Sequence, residues 1–393
     1  MMVLYHKEKS WIDKFEPLIP QEKMEPYDPC WCRSGKKWKF CHKIRQSESA
    51  LSRAILARNS FNYAKQYKIC MHPDAPKNCE GKIAKAHTLQ KSRSLMAIAE
   101  RGHVLSIKDA LGQPDFTRTI VPKSKGVDDA SIFRGFCQKH DSEMFREIDI
   151  GQLTADIDSA YKLAFRSICY EMYQKNVGLK TAYFLRENID KGMSWSGQVN
   201  AQQEIATMIH GFEGAIADFA IQKRKFDRYY HAPSELQFNF YSEIFEEVFP
   251  LAISTAFSPE YGFSGVLLQT LSVPIGRLEL LSLNLISVGG KTLVSFSWMG
   301  EPNGANHSFV REYLNLPPSR KFDALVILAF EFTEHIFLKP SWWTSLSTYE
   351  KNNLSARWSN TPGSHQSDCL KLGEKTFGFC GPGQVTTNVL DFK

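Results

Sequence analysis

The 393-residue chain has no run of eighteen uncharged apolar residues. Its longest apolar stretches, 262–276 and 280–290, are short, rich in serine and glycine, and parted by Arg277 and Glu279, so no membrane-spanning helix is expected. A Walker phosphate loop, a G-x-G-x-x-G fingerprint, a G-x-S-x-G elbow and internal repeats are missing too, which leaves ATPase, oxidoreductase and serine-hydrolase chemistry without a motif. Residues 1–11 carry Lys7, Glu8 and Lys9 with no apolar core behind them, predicting no secretory signal and a cytoplasmic protein. Nor does the cysteine pattern suit a disulfide framework. The total is odd, at nine, and six of the nine precede residue 140 in short-spaced groups near histidines, which points to metal ligation and free thiols.

Hydrophobic residues make up 43% of the chain and charged residues 23%, a balance that supplies packed cores and excludes a disorder-dominated polymer. At this length two or three structural units are expected. Charge is unevenly spread. Residues 1–100 hold 19 Lys/Arg against 10 Asp/Glu, so although the whole chain carries +6, everything beyond residue 100 is net acidic. The basic first quarter suits DNA or RNA, or an acidic protein, as partner.

The densest chemistry lies in Cys30-Trp31-Cys32-Arg33-Ser34-Gly35-Lys36-Lys37-Trp38-Lys39-Phe40-Cys41-His42, a C-x-C-x8-C-H spacing. Two close ligand pairs joined by a turn at Ser34-Gly35 can bring four donors within ~2–2.3 Å of a tetrahedral zinc ion without a large core around them. Trp31, Trp38 and Phe40 interleave with four cations, either as a stacking surface beside phosphates or as packing beneath the knuckle. Residues 28–43 resemble the SEC-C motif, a small zinc-binding element also found in the bacterial secretion motor, whose usual Cys-Cys or Cys-His ending is met here by His42. The resemblance implies zinc on Cys30, Cys32, Cys41 and His42 and docking onto a protein partner.

The second group is dispersed. Cys70-Met71-His72 with Cys79 makes one knuckle, and Cys137-Gln138-Lys139-His140 makes another with C-x2-H spacing; between them stand His87 and His103. Two distant knuckles closing on one ion is the treble-clef plan, and the preferred second quartet is Cys70, Cys79, Cys137 and His140. His72 is an alternative ligand should Cys79 turn away. The layout resembles a divergent HNH or endonuclease VII type nuclease, in which a strand histidine activates water beside a catalytic divalent ion. The resemblance implies His87 as general base with His103 and Asp141 as helpers, and Mg2+ or Mn2+ in addition to two structural zinc ions. It departs from the usual pattern in having Ala86-His87 for Asp-His and Asp141 for asparagine. A structural role for His87, or a binding fold with no chemistry, is the competing reading. The stretches Lys85–Gln90, Ala130–Asp141 and Pro340–Thr344 further resemble bacterial proteins that carry an amino-terminal SEC-C motif, some of them candidates for phage defence.

Elsewhere the pattern is more ordinary. Residues 50–57 read as a spacer helix, and 108–128, with Gly112, Pro114, Pro122 and Gly126, as a loop or short-strand insertion. From 154 to 230, Ala160, Leu163, Ala164, Ile168 and Met172, and later Ile205, Ile209, Phe212, Ile216 and Phe219, recur at spacings of three and four and predict long packed helices. Short apolar or alternating segments at 237–240, 265–270, 277–288, 292–298 and 322–330 predict strands, with Gly289-Gly290 as a hairpin turn and a covering helix near 324–337. Adjacent Trp342 and Trp343, read in a strand or turn, point in different directions: both buried on opposite faces, or one buried and one open to a partner. Cys369 and Cys380 have no nearby partner motif.

The expected architecture is modular α+β: an amino-terminal segment with the SEC-C zinc knuckle (1–48), a treble-clef-like Cys/His domain (49–153), a helical region (154–232) and a β-rich carboxyl-terminal domain (233–393). Two functions compete: a cytoplasmic zinc protein that binds and cuts nucleic acid at an HNH-like centre, and a non-catalytic scaffold that recruits a protein partner through the SEC-C module.

Overall fold

The computed structural model describes residues 15–20, 23–107, 121–150, 154–271, 275–359 and 383–389. The expectations for residues 1–11, for 108–120 and for Cys369 and Cys380 lie outside them. Chain contacts divide the molecule into two compact units, one of residues 1–68, 172–220 and 272–277, the other of 69–171, 221–271 and 278–393. No helix among the described residues is long and apolar enough to cross a membrane.

The first unit holds the amino-terminal knuckle, helices α1 (His42–Arg45) and α2 (Arg53–Gln66), and parts of two long helices described below. Ser52 caps α2 by accepting the Ile55 N–H at 3.3 Å. The three-and-four spacing seen between 154 and 230 becomes one helix over Ile157–Asn188 and another over Trp195–His231. Residues 172–188 and 195–220 of these belong to this unit, where Leu179, Ala182 and Tyr183 meet Ile205, Ile209 and Phe212. At Gly178 a Cβ would lie 2.4 Å from the Phe212 ring, so any larger residue would require the ring to move. Trp31 and Trp38 both lie edge-on to Trp195, at 5.7 and 6.1 Å. Buried Trp31 and half-buried Trp38 thus pack against Trp195 beneath the knuckle.

In the second unit, strands β1 (Ala86–His87) and β4 (Ile132–Phe133) form a separate antiparallel pair, followed by a helix over Gln138–Ile150. β2 (His103–Ser106) and β3 (Lys123–Gly126) join β5 (Phe238–Phe245), β6 (Leu251–Phe257), β7 (Leu281–Val288), β8 (Lys291–Met299), β9 (Ile336–Leu338) and β10 (Gln384–Thr387) in one antiparallel eight-stranded sheet of order β10-β5-β8-β7-β6-β9-β2-β3. Gly289 and Gly290, at φ +56° and +82°, make the β7–β8 turn and set Val288 opposite Lys291. The remaining helices, in chain order, are α3 (Met96–Ile98), α4 (Gln138–Ile150), α5 (Ile157–Asn188), α6 (Trp195–His231), α7 (Ala305–Leu314), α8 (Pro318–Phe332), α9 (Pro340–Ser345) and α10 (Thr348–Ser359).

Sheet residues Leu283, Leu285, Val294, Phe296 and Trp298 share a core with Phe309, Tyr313, Phe322 and Phe330 of α7 and α8. Their alternates, Ser282, Asn284, Ser295 and Ser297, are buried as well. Ser167 of α5 meets this small polar face, 3.0 Å from Ser254 Oγ and 3.1 Å from Asn284 Oδ1, so its polar atoms are satisfied by one another.

Three sequence expectations are corrected here. Residues 265–270 form no strand, only a single bridge between Tyr261 and Leu267. Residues 322–330 lie wholly inside α8, which stops at Phe332, four residues before β9 begins; an apolar run buried on all sides reads alike as strand or helix. Trp342 and Trp343 sit in the short helix α9, and a helical turn lets both reach one core: Trp343 stacks on Phe330 at 6.0 Å, and Trp342 meets Phe322 edge-on at 6.4 Å.

Candidate metal centres

The first centre is built by a tight hairpin. Cys30 N–H donates to Lys36 O at 2.9 Å and Trp38 N–H to Asp28 O at 2.8 Å, folding Cys30 and Cys32 back onto Cys41 and His42 at the start of α1. The ligand atoms of all four lie within 4.8 Å of one another. Cys32 Sγ and Cys41 Sγ are 3.6 Å apart, and His42 Nδ1 is 3.2 Å from Cys30 Sγ and 3.3 Å from Cys41 Sγ. A tetrahedron of ~2.3 Å zinc–sulfur bonds has edges of ~3.7 Å, so the spacing and the soft donor set fit zinc. Mutual hydrogen bonding among the thiols pushes Cys30 up and draws Cys32 and Cys41 down, which is the proton sharing that a bound cation replaces.

The far side of His42 is held by a residue that motif spacing gives no hint of. Asp190, fully buried in the α5–α6 connection, accepts from Arg45 Nη1 at 2.6 Å and pairs its other oxygen with His42 Nε2, 2.9 Å away. Burial alone would raise the Asp190 carboxyl; His42 and Arg45 overcome it and hold the group low. Burial likewise opposes charge on His42, but Asp190 with Cys32 and Cys41 lifts the ring to about 10. A carboxylate on Nε2 commits Nδ1 to face the three sulfurs, the usual arrangement behind a metal-binding histidine.

The second centre depends on an interrupted antiparallel ladder. Thr88 N–H donates to Ser131 O, Ala84 N–H to Phe136 O and Gln138 N–H to Lys82 O, at 2.8–3.0 Å, flanking the β1–β4 pair. Alongside it Met71 N–H donates to Gly135 O at 2.9 Å. Residues 69–88 are thereby laid against 131–138, and Cys70, Cys79, Cys137 and His140 converge with ligand atoms within 4.8 Å. His140 Nδ1 stands 3.4 Å from Cys70 Sγ and 3.7 Å from Cys79 Sγ. His72 is not in this quartet. It stacks flat on His140 at 4.0 Å and accepts the Asp74 N–H, while burial and the His140 charge bring it down to about 4.

His87, at the end of β1, is half-buried with Nδ1 2.9 Å from Ala130 O and 3.2 Å from Ser131 Oγ. Burial lowers its pKa, and the positive charges of Arg166 and Lys91 act in the same direction. Asp141, in the first turn of α4, is pushed up to about 6 by burial, against the pull of Arg166. That guanidinium therefore acts on both residues; it is itself clamped by Asp149 through two bonds of 2.8 and 2.9 Å. His103 is exposed at the start of β2, with Nδ1 2.9 Å from Arg101 O. Among the described residues no group of three or more metal-ligating side chains includes His87, His103 or Asp141.

No family model matches the chain, and no curated protein or solved structure matches it, so the SEC-C and HNH likenesses rest on the motif residues themselves.

Proposed function

We propose that the chain carries two structural zinc ions, and that the second of them, by fixing the strand of His87 against α4, supports hydrolysis of phosphodiester bonds in DNA or RNA. The observation that carries this reading is the β1–β4–α4 unit rooted in the second quartet, with a half-buried His87 ring held through Nδ1 and its pKa lowered by burial. A neutral imidazole placed so can take a proton from water as that water attacks phosphorus. Asp141 is the carboxylate closest in kind to a ligand for Mg2+ or Mn2+. The described residues supply no ready-made cage for such an ion, which in phosphate chemistry is commonly held by one or two carboxylates together with substrate and water; once bound it neutralises phosphate charge. The basic first quarter supplies attraction to the polyanion, and invading phage nucleic acid is the substrate that a defence role implies. The test is Mg2+- or Mn2+-dependent cleavage by purified protein: His87→Ala should abolish it with both zinc ions retained, and persistent cleavage would remove His87 from the mechanism.

A second reading is favoured by the outer surface of the first knuckle. Tyr27 and Phe40 are 62% and 61% exposed, Ile44 is exposed too, and Lys39 lies 3.9 Å from the Tyr27 ring centre and 4.5 Å from that of Phe40. Aromatic and cationic surface of this kind suits docking of a protein partner. Capture of such a partner should be lost in Cys30→Ser/Cys32→Ser protein, and capture that survives would contradict the reading.

A further inference from the structure

Four non-glycine residues among those described have positive φ: Arg33, Asn78, Arg101 and Ser131. The first three are exposed, at turns; Ser131, at φ +58°, is 3% exposed. A left-handed backbone costs an L-residue energy that glycine would not incur, and a buried side chain kept there is placed by its surroundings to do something glycine cannot do. What Ser131 contributes is a hydroxyl. Its Oγ lies 3.1 Å from Leu89 O, to which it donates, and 3.2 Å from His87 Nδ1. The backbone of the same residue is pinned by Thr88, whose N–H donates to Ser131 O at 3.0 Å and whose hydroxyl donates there at 3.3 Å.

Counting protons settles which nitrogen of His87 is basic. The Ala130 carbonyl, 2.9 Å from Nδ1, can only accept. The Ser131 hydroxyl has a single proton and directs it at Leu89 O, so toward His87 it too can only accept. Two acceptors facing one ring nitrogen require that nitrogen to carry hydrogen. We infer that Ser131 is a positioning residue which, together with the Ala130 carbonyl, fixes His87 as the Nδ1–H tautomer and leaves Nε2 as its one basic nitrogen. At this left-handed residue the carbonyl of residue 130 and the hydroxyl of residue 131 meet the same ring nitrogen. This inference rests on the reading of His87 as a base for its consequence, but not for its geometry.

The experiment is nitrogen NMR of the zinc-loaded, full-length protein labelled at histidine, with the His87 resonances assigned by their loss in His87→Ala. Above the ring's titration the wild type should show a protonated Nδ1 and an unprotonated Nε2; the opposite tautomer overturns the inference whatever the cleavage assay gives. Ser131→Ala keeps the backbone cost and Ser131→Gly removes it, yet both lack the hydroxyl. Both should shift His87 toward a mixture of tautomers by the same amount and slow cleavage about tenfold at unchanged KM. Unmoved His87 resonances in both variants, or a change in only one of them, would mean that the hydroxyl does not set the tautomer. Should the wild type show the expected tautomer but cut no nucleic acid under any metal, the hydrolase reading fails while the positioning role stands.

Discussion

Asp190 shows how much of a metal centre lies outside its ligands. Its carboxylate, 148 positions from His42 in the chain, orients the ring and shares Arg45. Replacing it by asparagine keeps the shape but removes the charge, and zinc affinity at the first centre should fall about 10–100-fold in chelator competition, with the second centre unchanged. An equal loss at both would show that the carboxylate acts through general stability. At His87 the sign of the pH dependence follows from burial. The folded ring sits below its ordinary value of 6.5, lowered by burial and by Arg166 and Lys91, with the Ala130 carbonyl and Asp149 acting the other way. The neutral base therefore persists to lower pH than a free imidazole would. Cleavage should fall on the acid side with a midpoint below 6.5, and an acid limb centred above 6.5 would contradict the assignment.

Between elements, the most exacting contact is the ion pair of β5 and α8. Lys321 Nζ lies 2.8 and 2.9 Å from the two Glu243 oxygens, with both side chains buried, and the Tyr241 hydroxyl donates to the same carboxylate at 3.0 Å. Lys321→Met leaves the buried Glu243 carboxylate without its cation and should cost about 3–5 kcal/mol in denaturant unfolding, while Lys321→Met/Glu243→Leu should recover most of the loss. No recovery would mean that packing, not charge, sets the cost. This pair was not legible in the sequence, and the reason is general. Local patterns carried what is local: the C-x-C-x8-C-H hairpin, the long helices from 157 to 231 and the glycine turn at 289–290. β6 went unread because both of its faces are buried, so Leu251-Ala252-Ile253-Ser254-Thr255-Ala256-Phe257 alternates large with small and not apolar with polar. Ser131 and Asp190 had no signal at all, since a positive φ at serine and a partner beyond two helices are properties of the fold.

At the scale of the molecule, each unit contains one quartet of three thiols and an imidazole, and the first of them is backed only by a small apolar cluster. Such centres couple folding to metal binding, because the sulfurs that gather in the native chain are dispersed and protonated in the unfolded one. In the second unit the consequence reaches function: Cys137 and His140 open α4, Cys70 and Cys79 lead into the strand of His87, and the ion joins the two. The most direct test is the zinc content per chain of the purified protein by elemental analysis, compared with Cys137→Ser. Two zinc ions per chain, falling to one in the variant, is the predicted result; one or none in the wild type, or two retained in the variant, would contradict the account.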